Sequence, residues 1–189
     1  MGQAALQLPM SAEEFLAWDA QQTVKHEFVR GEVFAMAGAG KVHVTLTGNV
    51  FMALRQHLRG SPCSTFFADT KLRVEATDAF FYPDVIVTCS AADAADPQVV
   101  REPVLLVEVL SPSTAAYDRG AKFAAYRQLP TLREYLLIDP DTRRCDLFRK
   151  GDGEGGLWVL HPFEAAQDLR LTSVGLDLAA ADLWEQVPA

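Results

Sequence analysis

The sequence contains no long apolar run. No stretch of its 189 residues approaches the roughly 18 to 20 uninterrupted apolar residues that a transmembrane helix requires. Residues 1–9 lack the basic start and the apolar stretch of a signal peptide. We therefore expect a cytoplasmic protein with no membrane partner.

Cysteine and histidine are scarce, and neither has the spacing of a known metal-binding or redox motif. Cys63, Cys89 and Cys145 are far apart and form no CxxC pair, which predicts plain buried thiols rather than a zinc or redox site. The four histidines form no HExxH spacing. No GxSxG motif surrounds Ser111 or Ser113, so serine hydrolysis is poorly supported.

Positive charge is also in deficit. The chain has 17 Lys and Arg residues against 25 Asp and Glu residues, and its net charge is −8. This balance argues against a broad, non-specific nucleic-acid binder, because phosphate contacts need basic side chains. It still permits an enzyme with a locally basic contact surface, or one whose acidic site is neutralised by divalent cations.

The composition is otherwise that of an ordered globular chain. A hydrophobic content of 49% is enough to form a core, and the length fits a single domain over residues 1–189. Ser11 and Glu14 have the spacing of a capping box before a short helix that ends near Asp19. Two short strands flank Arg30-Gly31, a hairpin signal, and apolar spacing predicts a long helix over 42–58.

The middle of the chain reads as strands with one further helix. The predicted elements are strands 65–74 and 80–88, a surface connection 91–102, strand 104–110, helix 118–129, strand 134–138 and an edge strand 143–149. The result is an α/β fold with a mixed sheet and the order helix-strand-strand-strand-helix-strand, with a core at about 42–149. The N-terminal helix and hairpin (11–37) precede it. A C-terminal capping segment (157–185) follows, and its pattern does not place it.

Two carboxylates stand out against this apolar background. Glu108 interrupts the apolar strand 104–110, where an ionised group needs a cation: either a metal ion or an Arg or Lys in a buried salt bridge. Asp84 follows Pro83 directly before the apolar run 85–87, and alternatively it is only a strand-start residue. If the two side chains converge on one sheet, they suit Mg²⁺ or Mn²⁺, which can activate water for hydrolysis.

These residues carry a family resemblance. Pro83-Asp84, the strand containing Glu108 and the segments after it resemble the PD-(D/E)xK nuclease superfamily. The most similar members are a bacterial group of restriction-endonuclease-like proteins. The segments and residues that carry the resemblance are 82–87, 103–114, Asp118-Arg119, Lys122, Tyr126 and 134–140. The resemblance implies a restriction-endonuclease-like core and a Mg²⁺-dependent endonuclease acting on nucleic acid. The expected substrate is DNA rather than RNA.

One position departs from the superfamily pattern. Two residues after Glu108, where the pattern has Lys, this chain has Leu110. The resemblance implies that Lys122 on the next helix takes over, which gives Asp84, Glu108 and Lys122 as catalytic residues. Alternatively, Lys122 is a solvated lysine paired with Asp118 four residues earlier, and the protein is a catalytically silent binding module.

Several residues are supporting candidates. On the hairpin, Glu27 is preferred over Glu32 as an extra acidic ligand because the resemblance places an acidic residue there; an exposed strand carboxylate is the alternative for either. The other candidates are His43 for substrate contact or helix capping, Ser111, Ser113 and Thr114 for phosphate binding or turn formation, Arg119, and Tyr126. Cutting both strands of a duplex would favour a two-fold homodimer.

Overall fold

The computed structural model describes residues 6–7, 10–36, 38–153 and 156–188, and for residues 6–7 only the backbone. The helices are α1 (Ala12–Asp19), α2 (Lys41–His57), α3 (Ala91–Ala95), α4 (Ala115–Tyr117), α5 (Phe123–Tyr126) and α6 (Ala180–Leu183), with a 3₁₀ turn at Glu75–Thr77 and a π-helical turn at Asp118–Lys122. The strands are β1 (Leu6–Gln7), β2 (His26–Val29), β3 (Glu32–Ala35), β4 (Ser64–Phe67), β5 (Lys71–Val74), β6 (Ala79–Phe81), β7 (Val85–Thr88), β8 (Val99–Val100), β9 (Pro103–Val109), β10 (Glu134–Asp139), β11 (Arg144–Lys150), β12 (Trp158–Phe163), β13 (Leu169–Leu171) and β14 (Leu176–Leu178).

The strands form two six-stranded sheets and a small hairpin. The first sheet has the order β1-β3-β2-β6-β5-β8, the second has the order β12-β11-β10-β9-β7-β4, and β13 pairs with β14. The predicted mixed α/β fold is therefore confirmed. The division into domains stays a prediction.

Strand β9 lies at the centre of the second sheet, as its apolar run predicts. It is antiparallel to β7 and parallel to β10. On one face Leu105 and Val107 pack with the inward side of α2, and on the other Leu106 and Leu110 pack with Tyr126 of α5. A strand covered on both faces can carry an ionised side chain only where that side chain has partners.

Two of the predicted strands are wrong in the same way: each is broken and shared between the sheets. Residues 65–74 divide into β4 and β5 because the chain turns at Ala68, which has a positive φ of 61°. Residues 80–88 divide into β6 and β7 around Pro83, which has no N–H for a ladder hydrogen bond. The second break places Asp84 at the junction of the two sheets.

The predicted helix 118–129 begins earlier and ends earlier. Helical backbone runs from Ala115 to Tyr126, with the π-helical turn Asp118–Lys122 in its middle. The predicted connection 91–102 contains the short elements α3 and β8. A π-helical turn is rare and is often found at functional sites, and this one carries both Asp118 and Lys122.

In the C-terminal part, the prediction of an edge strand over 143–149 is wrong. The strand predicted as an edge, now β11, is internal, because β12 pairs along its outer side. The unplaced tail forms the β13–β14 hairpin and α6, and its leucines join the core on the α2 side. Glu134 holds this hairpin: its carboxylate accepts hydrogen bonds from the backbone and hydroxyl groups of Thr172 and Ser173 and from Arg149.

The prediction of three plain thiols is wrong for two of them. Cys63 and Cys89 form a disulfide, and Cys145 is a free buried thiol. The two bonded cysteines stand just outside the pair Ser64 and Thr88, which lie opposite each other on β4 and β7. Antiparallel pairing therefore brings together two cysteines that are 26 residues apart.

No helix in the described ranges is long and apolar enough to cross a membrane. The expectation about a signal peptide concerns residues 1–9, which lie outside the described part except for the backbone of Leu6–Gln7.

Candidate active site

Glu108 is buried in the middle of the molecule, with a side chain that is 5% exposed. Its Oε1 atom lies 3.1 Å from the Lys122 ammonium and accepts a hydrogen bond of 2.8 Å from the Tyr126 hydroxyl. Both partners come from the helical segment that covers this face of β9. The structure thus brings together three residues selected from the sequence.

Lys122 is a buried cation with three carboxylate partners. Its ammonium lies 3.0 Å from Glu27 Oε1, 3.1 Å from Glu108 Oε1 and 3.4 Å from Asp118 Oδ1. The i,i+4 pair with Asp118 is present, but the lysine is only 7% exposed in its side chain and is not a solvated surface group. Its side chain extends from the π-helical turn to Glu108 on β9.

Asp84 lies on the more open side of this cluster. Val85 pairs with Val107 across β7 and β9, so continuing the register by one residue places Asp84 opposite Glu108 on the same face of the sheet. Asp84 Oδ2 accepts a hydrogen bond of 2.7 Å from the backbone N–H of Val109. Its Oδ1 lies 2.8 Å from Nε2 of His43, at the start of α2.

The first sheet contributes Glu27. The predicted hairpin presents this carboxylate inward, 9% exposed, against Lys122, whereas Glu32 on the neighbouring strand is exposed. The alternative of an exposed strand carboxylate therefore holds for Glu32 and not for Glu27. The register of β2 and β3 places Glu27 and Glu32 on the same face of the sheet, so their difference comes from position: β2 lies next to β6, and β3 lies one strand further out.

Other candidates lie outside the cluster. Arg119 pairs with Asp146 and, at 3.7 Å, with Asp139, both on the far side of the helical segment. The hydroxyl of Ser111 contacts those of Ser113 and Thr114 at 3.1 and 3.0 Å, which stabilises the turn after β9. The contacts of these four residues support structural roles.

Sequence reasoning gave too little weight to Asp118. This carboxylate is 3% exposed and contacts Lys122, and Tyr135 donates a hydrogen bond to its backbone carbonyl. Tyr117 also lines the site, with the Lys122 ammonium 5.9 Å from its ring centre. One sequence feature points to Asp118: it lies four residues before Lys122, within the part of the chain that resembles the superfamily.

The cluster has an excess of negative charge. Glu27, Glu108 and Asp118 contact the one ammonium, and Asp84 lies beside Glu108 in the strand register. With all four carboxylates ionised and His43 neutral, three negative charges are uncompensated. Burial raises the pKa of Glu108 well above 4.5; Lys122 opposes this, and the other three carboxylates add to it. Burial lowers the pKa of Lys122, but its carboxylate partners outweigh burial and raise it well above 10.5.

The charges of the cluster also shift the pKa values of two neighbouring side chains, Tyr117 and His43. Burial, then the charge of Glu27, raises the pKa of Tyr117 to about 12. Burial lowers the pKa of His43, but its hydrogen bond and charge interaction with Asp84 outweigh this effect and raise it. The site therefore favours any additional positive charge.

The donor set fits a magnesium ion held by few protein ligands. Mg²⁺ is commonly bound by one or two carboxylates and keeps several waters. Glu27 Oε1 and Asp118 Oδ1 are buried beside the Lys122 ammonium, but neither accepts a hydrogen bond of good geometry from the residues that the structure describes. The carboxylates of the cluster also outnumber its one ammonium. Within the described ranges no group of three His, Cys, Asp or Glu side chains is placed to hold a metal, so Asp84 and Glu108 are the ligand pair to consider.

The fold and this cluster together define a restriction-endonuclease-like protein. The structure matches the "crystal structure of a putative nuclease belonging to DUF820" from Anabaena variabilis ATCC 29413 with a TM-score of 0.76 and 16% identity, over 95% of this chain and 100% of that one. At this identity the match shows the fold alone.

Sequence comparison gives the family. The family model "Uma2: Putative restriction endonuclease" matches residues 12–181, and the chain belongs to this family. Two uncharacterized proteins of Synechocystis sp. (strain ATCC 27184 / PCC 6803 / Kazusa) are similar. The protein slr1290 is 39% identical over 90% of this chain and 88% of its own length. The protein sll1609 is 36% identical over 80% of this chain and 85% of its own length. The restriction-endonuclease-like assignment made from the sequence is confirmed.

Proposed function

We propose that this protein is a Mg²⁺-dependent endonuclease that hydrolyses phosphodiester bonds of DNA. The observation that carries the proposal is a cluster of four carboxylates at the junction of two sheets, three of them in contact with the ammonium of Lys122 and the fourth, Asp84, beside Glu108 in the strand register. Structural ion pairs usually match their charges, because an unmatched buried charge destabilises the fold. Perturbed carboxylates of this kind are concentrated at functional sites.

Asp84 and Glu108 are the proposed ligands of Mg²⁺ or Mn²⁺. When bound, the ion would lower the pKa of a coordinated water and stabilise negative charge on the phosphate. The backbone N–H of Val109 and the ring of His43 fix the orientation of Asp84. The Tyr126 hydroxyl and Lys122 fix Glu108. Two carboxylates held in this way meet the need of a catalytic metal site for preorganised ligands.

Lys122 is proposed to orient the attacking water and the scissile phosphate through its charge. Its three carboxylate partners hold the ammonium in place, and the lysine chain reaches the strand from the π-helical turn. A lysine presents a compact point charge, which suits a phosphate oxygen. Glu27 and Asp118 are proposed to keep this charge in position from opposite sides.

Cleavage assays on several nucleic acids with Mg²⁺ or Mn²⁺ test the proposal. We expect cleavage by the wild type on DNA, and none above background for Asp84→Asn. The variants Glu27→Gln and Glu32→Gln form a matched pair on one hairpin: the first should reduce cleavage, and the second should leave it unchanged because Glu32 is exposed. Equal activity of the wild type and Asp84→Asn would remove the proposal.

A catalytically silent binding module is the second candidate. The observation that favours it is the pairing of Glu108 with Lys122 and Tyr126, which already gives one carboxylate oxygen two partners. Calorimetric titration with Mn²⁺ separates the two candidates. Binding that disappears in Asp84→Asn supports the nuclease, whereas absence of binding together with retained affinity for DNA supports the module.

We also propose a two-fold homodimer, because two related sites would allow both strands of a duplex to be cut. Sedimentation of the purified protein tests this directly. A monomer at all accessible concentrations would contradict it without affecting the proposed chemistry.

A further inference from the structure

A cavity of about 500 Å³ lies at the end of the second sheet away from Glu108. Its lining includes three cations and one carboxylate: Arg127, Arg133, Lys150 and Asp152. The whole chain has a net charge of −8, so a local excess of positive charge is unusual for this molecule. Such a concave, basic surface is where an anionic ligand would be attracted.

The side chains of Arg127 and Lys150 are positioned by neighbours that do not neutralise them. Arg127 lies over the ring of Phe123, with 5.3 Å between the guanidinium carbon and the ring centre. The Lys150 ammonium donates to the Pro130 carbonyl at 3.4 Å, and its backbone N–H donates to the Arg133 carbonyl at 2.9 Å. Between the residues that the structure describes, no ion pair involves any of the three. Their charges therefore remain available to a ligand.

The cavity also has an aromatic wall. Trp158, at the start of β12, is partly exposed and packs edge-to-face against Phe123, with 5.5 Å between the ring centres. Phe123 in turn packs against Phe148 at 4.3 Å. An indole fixed in this way can stack on a base, an interaction worth about 1–3 kcal/mol in single-strand binding sites.

We propose that this cavity binds a nucleotide, with the phosphate on Arg127, Arg133 and Lys150 and the base against Trp158. Arginine and lysine supply the donors that a phosphate accepts, and the volume lies in the usual range for small-ligand sites. Asp152 opposes an anion, and the three cations leave two positive charges in excess of it. The ligand is either a free nucleotide or one unit of a nucleic-acid strand.

The position of the cavity leaves both sources open. Leu137 on β10 pairs with Glu108, and Arg133 precedes it by four residues, which places the cavity about 13 Å from the level of Glu108 along the strands. The helical segment that carries Lys122 and Tyr126 leads directly into Arg127. A strand bound at the carboxylate cluster could extend to this cavity, but nucleotide binding there does not depend on cleavage.

Fluorescence titration of the full chain in buffer with EDTA tests the proposal. The probes are a mononucleotide, a short single-stranded oligodeoxynucleotide and inorganic phosphate. We expect a nucleotide probe to quench part of the tryptophan emission of the wild type. Trp158→Phe, which retains Trp18 and Trp184, should abolish this change. Phenylalanine keeps an aromatic ring against Phe123, so the fold should be unaffected.

Paired charge variants locate the binding. The double variant Arg133→Gln/Lys150→Gln should weaken nucleotide binding at least about 10-fold and, for the single-stranded oligodeoxynucleotide, lower the slope of log affinity against log salt by about 1.4. Arg55→Gln/Arg59→Gln removes the same charge from exposed positions at the end of α2 and should change binding less than about 2-fold. Equal weakening in both pairs, or no quenching by either nucleotide probe, would overturn the proposal.

The probes identify the source of the ligand. Similar affinity for the mononucleotide and the oligonucleotide would identify a free nucleotide, and much tighter oligonucleotide binding would identify a strand. Binding of phosphate alone, without a change at Trp158, would contradict the stacking. Because no metal or cleavage is involved, nucleotide binding retained by a chain that cuts nothing would count against the nuclease and not against this site.

Discussion

Glu108 and Glu134 are both buried glutamates on adjacent strands, but their surroundings are opposite. Glu134 is fully buried and accepts hydrogen bonds from Thr172, Ser173 and Arg149. Burial alone would raise its pKa, but these hydrogen bonds outweigh burial and lower the pKa below 4.5. Glu108 has two partners on one oxygen and three other carboxylates nearby, and its pKa is raised.

The comparison separates a structural carboxylate from one that we propose to be functional. At Glu134 the hydrogen bonds from Thr172 and Ser173 tie the β13–β14 hairpin to the sheet, and Arg149 on the neighbouring strand balances the charge, so the group contributes to the stability of the fold. At Glu108 burial and three nearby carboxylates raise the pKa, and the contact with Lys122 only partly opposes them. Buried charge by itself is therefore not evidence of function; the excess of buried carboxylates over cations around Glu108 is what supports the proposed site.

The largest expected effect is on catalysis at Glu108. Glu108→Gln should reduce metal-dependent cleavage by at least about 10³-fold, because the proposed metal ligand is lost while the shape is kept. Its melting temperature should stay the same or rise, because a like-charge repulsion is removed. Cleavage and thermal unfolding are measured on the same preparation. Lower stability with unchanged cleavage would reverse the roles assigned to the two glutamates.

The next effect is on stability at Glu134. Glu134→Gln should lower the free energy of unfolding by about 2–4 kcal/mol, because it weakens a buried, hydrogen-bonded charge pair with Arg149. Cleavage per folded molecule should not change. The matched control is Glu164→Gln, which removes an exposed ion pair with Arg144 and should cost less than about 1 kcal/mol. Denaturant unfolding of the two variants gives the comparison directly, and equal losses would contradict it.

Acid should erase the stabilising effect of Glu134. A carboxylate whose pKa is lowered on folding contributes stability above its unfolded pKa and loses it as the pH falls through the folded pKa. The difference in unfolding free energy between wild type and Glu134→Gln should therefore be largest near neutral pH and shrink below pH 4.5. Denaturant titrations in steps from about pH 7 to about pH 3 measure it. A difference that grows on acidification would show that the pKa is raised instead.

The smallest effect is expected at Tyr126, proposed as a positioning residue. Tyr126→Phe removes the hydroxyl that donates to Glu108 and should lower kcat by about 10-fold or less, with KM unchanged. Tyr135→Phe is the control, because its hydroxyl bonds to the Asp118 carbonyl rather than to Glu108. Steady-state kinetics separate kcat from KM. A rise in KM alone would show that Tyr126 contacts substrate.

Much of the fold was predictable, and the failures have one cause. The hairpin at Arg30-Gly31, the long helix and the central strand with Glu108 follow from local turn chemistry and periodicity. Residues 65–74 and 80–88 each read as one strand because apolar runs do not reveal which sheet a residue joins. The disulfide was missed for the same reason, since it depends on the pairing of β4 with β7.

The candidate site shows the same limit at single residues. Asp84, Glu108 and Lys122 were selected from the sequence, and the structure places them together with Tyr126, His43 and Glu27. Arg119 and Ser111 lie in the right segments but have other partners. The stabilising role of Glu134 was not predicted, because its partners lie 38 and 39 residues further along the chain.

By itself the sequence determined that a charged side chain interrupts an apolar strand and that an aspartate follows a proline at a strand start. Local patterns determine these features, since periodicity and backbone restriction act over a few residues. Only the tertiary structure decided that Glu27 faces inward, that Lys122 contacts three carboxylates and that Glu134 is fully satisfied. Each of these outcomes depends on contacts between distant segments, which form only when the two sheets and the helical segment pack together.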